Sequence, residues 1–120
     1  MHTRPEHKGN YFSIELLVLD DQCCPVGDFL NGLSESNRTK IDVLFERLAS
    51  TGKISNKEKF KKIEGTQKLF EFKSFQIRLI CFFTSNKRVV ICHALMKKKD
   101  KHSSTDLEYA ESLRQALGER

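Results

Sequence analysis

The 120-residue sequence predicts an α+β fold, with an N-terminal strand and a helical hairpin preceding a three-stranded antiparallel meander and a C-terminal helix. Three observations predict it. Residues 69–96 fall into strand-length apolar pieces separated by a turn signal, residues 36–52 carry one helical apolar stripe, and residues 105–117 carry another behind a capping pair.

The elements follow in order. "YFSIELLVL", residues 11–19, is apolar and partly β-branched and stops at Asp20 and Asp21, which predicts a first strand joining an edge of the sheet. Pro25 can open a short helix that ends near Gly32 and packs through Val26, Phe29, Leu30 and Leu33. A longer helix starts at Ser36 or Asn37. Its Ile41, Leu44, Phe45 and Leu48 fall at i, i+3, i+4 and i+7, and Gly52 ends it. Residues 56–68 are polar and Lys-rich and read as a connector. In "LFEFK", residues 69–73, alternation sends Phe70 and Phe72 to one face and Glu71 and Lys73 to the other. "FQIRLICFF", residues 75–83, places Phe75, Ile77, Leu79, Cys81 and Phe83 on one face and Arg78 with Gln76, Ile80 and Phe82 opposite. "TSNK" turns the chain into "RVVICHALM", the third strand of the meander. Thr105 and Glu108 form a capping box for the last helix, whose apolar side is Leu107, Ala110, Leu113 and Leu117. The length suits one domain over residues 1–120, with residues 1–10 expected to be flexible.

Charge is distributed unevenly. Residues 53–102 hold 14 Lys and Arg against 4 Asp and Glu, a net of +10, whereas residues 1–52 come to −3 and residues 103–120 to −2. A cationic middle favours a polyanion, nucleic acid above all, although an acidic protein would feel the same field and a solvated surface is the plain alternative. No apolar run reaches the length of a membrane span, and the first residues have no apolar core of a secretory signal, so the expected location is the cytoplasm. Cys23, Cys24, Cys81 and Cys92 match neither a paired zinc-ligand spacing nor a secreted disulfide framework. No metal and no cofactor is expected.

Common hydrolase, nucleotide-binding and zinc-protease signatures are absent, which leaves a convergence of cations on a sheet. Lys73 and Arg78 on neighbouring strands can share a face, and Lys97, Lys98, Lys99 and Lys101 follow the third strand directly. Such a set can cradle a phosphodiester. RNA cleaves itself when a base takes the 2′-hydroxyl proton, cations stabilise the phosphorane and an acid protonates the leaving 5′-oxygen. The fork of Arg78 suits the equatorial oxygens, while Lys73 and Lys97 supply charge and exchangeable protons. Alternatives stand beside each role. Arg78 and Lys73 can be cross-strand partners of Glu71, Glu71 can be a general base or the carboxylate that orients Lys73, and His93 can be a proton-transfer group or a hydrogen-bonded strand residue. His102 lies in a stretch that reads as a flexible loop, and Tyr109 as helix surface or packing.

"KKIEGTQKLFEFK", "FQIRLICFF" and "CHALMKKKDKHSSTDLEYA" together resemble the RelE/HigB-like toxins of type II toxin–antitoxin systems, in particular the phage-derived HigB branch, over about residues 60–110. The branch pattern runs K-L-x-G, L-x-E-x-R, an Arg before an apolar aromatic run, H-G-F-x-K-K and K-T-P-x-x-E-I-x-x-A. Ile63 and Gly65 match the first part, Leu69 and Glu71 the second, and Arg78 the third. His93, Lys97, Lys98 and Lys101 fall into the last two, followed by Asp106, Leu107 and Ala110. Lys73 departs from the pattern's Arg, Ala94 and Leu95 from its Gly-Phe, and His102 and Ser103 from its Thr-Pro. The resemblance implies a RelE/ParE-like fold and a metal-independent, ribosome-associated endoribonuclease that cleaves mRNA. A cognate antitoxin, helix-turn-helix in kind and encoded beside it, would hold it inactive. Arg78, Lys73, Lys97, His93 and Glu71 are then the catalytic candidates, and Lys98, Lys99, Lys101, Lys62 and Lys68 the RNA-binding ones. A ParE-like gyrase-directed toxin, or an inactive RNA- or antitoxin-binding protein on the same scaffold, is the competing reading.

Overall fold

The computed structural model describes residues 1–99 and 101–118. Among the described residues the chain forms β1 (His2–Lys8), β2 (Ser13–Val18), α1 (Pro25–Asn31), α2 (Glu35–Thr51), β3 (Phe60–Lys62), β4 (Phe70–Ser74), β5 (Ile77–Phe83), β6 (Arg88–Met96) and α3 (Ser104–Ala116). The strands make one mixed sheet in the order β1-β2-β6-β5-β4-β3. The α+β class holds, but the antiparallel β4-β5-β6 meander is only the middle of a larger sheet.

Both edges of the sheet differ from expectation. Residues 1–10, expected to be flexible, contain β1, which pairs antiparallel with β2 and so removes β2 from the edge where it was expected. β2 instead pairs parallel with β6, buried on both faces like the interior strands of a parallel sheet. The polar "HTRPEHK" carries no period-2 signal because it is an edge strand, where Pro5 and charged side chains are tolerated. Polar contacts hold it: Glu6 pairs with Arg38 of α2, His7 with Glu46 of α2, and the Met1 amino group with Asp20. At the other edge β3 lies in the segment read as a connector, and its Phe60 packs against Phe70 and Phe72 with ring centroids 5.7 and 4.8 Å apart.

The sheet separates two cores. α1 and α2 bury Val26, Leu30, Ile41, Phe45 and Leu48 against Ile14, Leu16, Phe72, Ile77, Leu79 and Ile91 on one face. α3 covers the other with Ala110 and Leu113 against Leu17, Leu69, Ile80, Phe82, Val90 and Cys92. The helix limits also differ from expectation. Ser34 caps α2 by accepting the Asn37 N–H, and Ser103, rather than Thr105, caps α3 by accepting the Asp106 N–H. Gly52, in the left-handed region at φ 83°, ends α2 as predicted.

Phe75 does not join its predicted face. It occupies the two-residue turn between β4 and β5 at φ 55°, is 76% exposed, and lies under Lys40 Nζ at 4.5 Å from the ring centroid. The rest of that alternation is as read: Ile77, Leu79, Cys81 and Phe83 meet the α1/α2 core, while Ile80 and Phe82 meet α3.

Candidate active site on the α3 face

Cross-strand register builds the site. Lys61, Glu71, Ile80 and His93 form one row across β3, β4, β5 and β6, and Lys73, Arg78 and Leu95 form the next across β4, β5 and β6. Directly paired residues project to the same side of a sheet, and Ile80 belongs to the α3-side core, so both rows lie on the α3 face.

His93 reaches this face through a bulge. The register places Ile80 opposite His93 and Cys81 opposite Ile91, which leaves Cys92 as the extra residue. Plain alternation would have sent His93 with Ile91 into the α1/α2 core. Instead, its Nε2 lies 2.9 Å from Asp106 Oδ1, and its ring meets Tyr109 edge to face with centroids 5.2 Å apart. A carboxylate only accepts, so the proton of a neutral His93 ring sits on Nε2. The His93 hydrogen bond holds the Asp106 carboxyl below its usual range; the Ser103 hydroxyl and the Lys97 charge act in the same sense, and partial burial opposes them. Both side chains of this pair keep some access to solvent.

Glu71, Lys73, Arg78 and His102 are buried together. One oxygen, Glu71 Oε1, lies 2.9 Å from His102 Nε2 and 3.7 Å from Arg78 Nε. Arg78 Nη1 also donates to the carbonyls of Phe75 and Ile77, at 2.5 and 3.0 Å. At 4% exposure, Arg78 is a buried counter-charge and not the open phosphate fork read from the sequence. Likewise, Lys73 is buried, opposite Arg78 in the register, and shares β4 with Glu71, so it is not an exposed cross-strand partner of that carboxylate. His102, read as part of a flexible loop, inserts its side chain over Glu71 and is buried.

The lysine run lies at the edge of this cluster. Lys97 N–H donates to Gln76 O at 2.6 Å, which ties the start of the run to the turn beside Arg78. Lys98, Lys99 and Lys101 are exposed. Lys62 is placed elsewhere, since it pairs with Phe70 and so projects toward the α1/α2 face, whereas its neighbour Lys61 faces Glu71. Lys68 lies beside a separate groove of about 460 Å³ against α3, within electrostatic reach of Glu111.

Asp106, His102 and Lys61 are members of the face that sequence reasoning missed. The spacing Ser103-x-x-Asp106 is a capping-box pattern in the sequence and could have located Asp106, whose N–H donates to the Ser103 hydroxyl and whose carboxylate accepts from it. Lys61 alternates with Phe60 as Glu71 does with Phe70 and Phe72, but over too few residues to register as a strand. Nothing local marks His102. Burial pushes the Cys92 thiol on this face up to about 12, and the Cys81 thiol, on the opposite face, well above its ordinary value. No helix among the described residues is long and apolar enough to cross a membrane.

No curated protein matches this sequence. A family model for phage-derived Gp49-like proteins (DUF891), a family associated with the toxins of toxin–antitoxin systems, matches residues 28–115, from within α1 to near the end of α3, and the chain belongs to that family.

Proposed function

We propose that this chain is the toxin of a toxin–antitoxin pair in the cytoplasm and acts as a metal-independent endoribonuclease, cleaving mRNA at the ribosome by 2′-hydroxyl attack. One juxtaposition supports this most: the accessible His93/Asp106 pair lies on the same sheet face as the buried Arg78 and Lys73 and within electrostatic reach of Lys97, the first lysine of the run. Asp106 orients the ring and His93 exchanges the proton. Lys97, Lys98, Lys99 and Lys101 meet the strand's phosphates. Arg78 and Lys73 act from beneath as fixed charges, and Glu71 holds Arg78 in place. Stability alone gives little reason for four ionisable groups here, because apolar residues of similar size in place of a buried ion pair are often neutral or stabilising.

The test is primer extension on mRNA in programmed ribosomes treated with metal-stripped protein. Discrete cleavage is expected without added zinc or manganese, and His93→Ala should slow it by about 10²-fold or more. Absence of cleavage, or a strict need for the added metal, overturns the reading. The burial of Arg78 and Lys73 favours a second one, in which the scaffold acts through a protein target such as gyrase, or only binds RNA and an antitoxin. In that case growth inhibition survives His93→Ala.

A further inference from the structure

Phe75 stands where packing gives its ring little to do. The sequence holds nine phenylalanines, and Phe75 alone joins neither core. Its ring is 76% exposed at the β4 to β5 turn, and its φ of 55° is a conformation that glycine would take without strain. Strained residues of this kind cluster at ligand and active sites. The neighbours are cations. Lys40 Nζ lies over one face of the ring at 4.5 Å from the centroid. Met96, 56% exposed, is opposite Ile77 in the register, and Lys97 N–H donates to Gln76 O at 2.6 Å, so the start of the lysine run flanks the turn. Arg78 Nη1 donates to the Phe75 carbonyl, which ties the turn to the buried charges of the α3 face. An aromatic and a thioether inside a cationic rim suit one nucleotide of a single strand, with the base on the ring and its phosphates on the lysines. An acidic protein segment would engage the same cations. However, the apolar part is confined to two side chains, which matches one base and falls far short of a standard protein interface of about 800 Å² a side.

We infer that Phe75 is a stacking platform for one base of single-stranded RNA, with Lys40, Lys97 and Lys98 meeting the adjoining phosphates. The inference rests on the ribonuclease reading above and gives Phe75 a positioning role in it. The Ile77–Met96 row beside the turn is three residues along β5 from the Ile80–His93 row, roughly 10 Å. Lys40 comes from α2, so a strand with its scissile linkage at His93 reaches the ring by passing over the end of the sheet where β6 gives way to Lys97. Anchoring one base there fixes which linkage stands at His93. The platform accepts any base, because every base has a π-face.

Phe75→Leu keeps apolar bulk but removes the aromatic face. It should weaken binding of a short single-stranded 2′-O-methyl oligoribonucleotide, which cannot be cut by 2′-attack, by about 5- to 150-fold. Primer extension on programmed ribosomes should show its cuts spread over neighbouring linkages. Since the chain contains no tryptophan, Phe75→Trp adds a single fluorophore at the platform. That variant should bind as tightly as wild type, and its emission should change as the oligonucleotide stacks. Wild-type protein supplies a reading that needs no variant: the Phe75 ring proton resonances should move upfield when the same oligonucleotide binds. Wild-type affinity and cut sites in Phe75→Leu, or ring resonances that stay in place on bound oligonucleotide, overturn the inference and leave the ribonuclease reading intact. A Phe75→Leu protein that loses only its hold on a co-expressed protein partner overturns it as well, and makes the patch a protein surface. If wild-type protein stacks the oligonucleotide but cuts no RNA, the platform stands and the ribonuclease reading falls. If wild-type protein binds no oligonucleotide, the platform falls, and cleavage on programmed ribosomes decides the ribonuclease reading separately.

Discussion

Glu71 is the residue on which the α3 face depends. Its single Oε1 serves both His102 and Arg78 in a buried setting, so Glu71→Ala removes the carboxylate that these two groups share. The expected cost is on the order of 3–5 kcal/mol, read as a lowered urea midpoint, and a change below about 1 kcal/mol would mean that the network is not electrostatically coupled. Asp106 gives a prediction in pH. Its folded carboxyl is held low, so its contribution to stability is fully present above the ordinary carboxylate value, about 4, and is lost as the pH falls through the folded value. His93→Ala should let Asp106 climb toward the ordinary value, leaving the Ser103 contribution, and should weaken the acid dependence of unfolding. An NMR titration of the Asp106 carboxyl carbon in both proteins checks this.

Among the elements, the β4 to β5 turn and the β6 bulge do the most to shape the face. Phe75 takes a positive φ at a turn position that favours glycine, at a cost of about 1–3 kcal/mol, while exposing its ring. Phe75→Gly relieves that strain, keeps the carbonyl that Arg78 uses, and removes the ring from beneath Lys40. A net gain of roughly 0.5–1 kcal/mol in unfolding free energy is expected. A decrease would show that the ring's packing outweighs the backbone. The helices and most strands were legible because their apolar spacing repeats, as in Ile41, Leu44, Phe45 and Leu48, or Phe70 and Phe72. β1 was not, since its stability comes from hydrogen bonds to β2 and ion pairs to α2, and neither leaves a periodic signal. The bulge at Cys92 escaped for a related reason: one unpaired residue changes which way His93 projects without changing composition at all.

Across the whole molecule, part of the excess of cations in residues 53–102 gathers at the α3 face, with Lys97, Lys98, Lys99 and Lys101 toward the surface and Lys73 and Arg78 buried. Replacing Lys97 and Lys98 together by alanine should lower the salt slope of RNA binding by about 1.4, at about 0.7 for each single-strand phosphate that is no longer neutralised. An unchanged slope would place the RNA elsewhere on the surface. The sequence by itself determined the α+β class, the charge of the middle segment, and the alternation that groups Glu71 with Lys73 and Arg78, because short-range periodicity and composition are enough for these. Only the tertiary structure decided that the grouped charges are buried, that His102 closes over Glu71, and that Asp106 receives His93. Those outcomes depend on strand register and on side-chain contacts, and both are set by interactions between residues far apart in the chain.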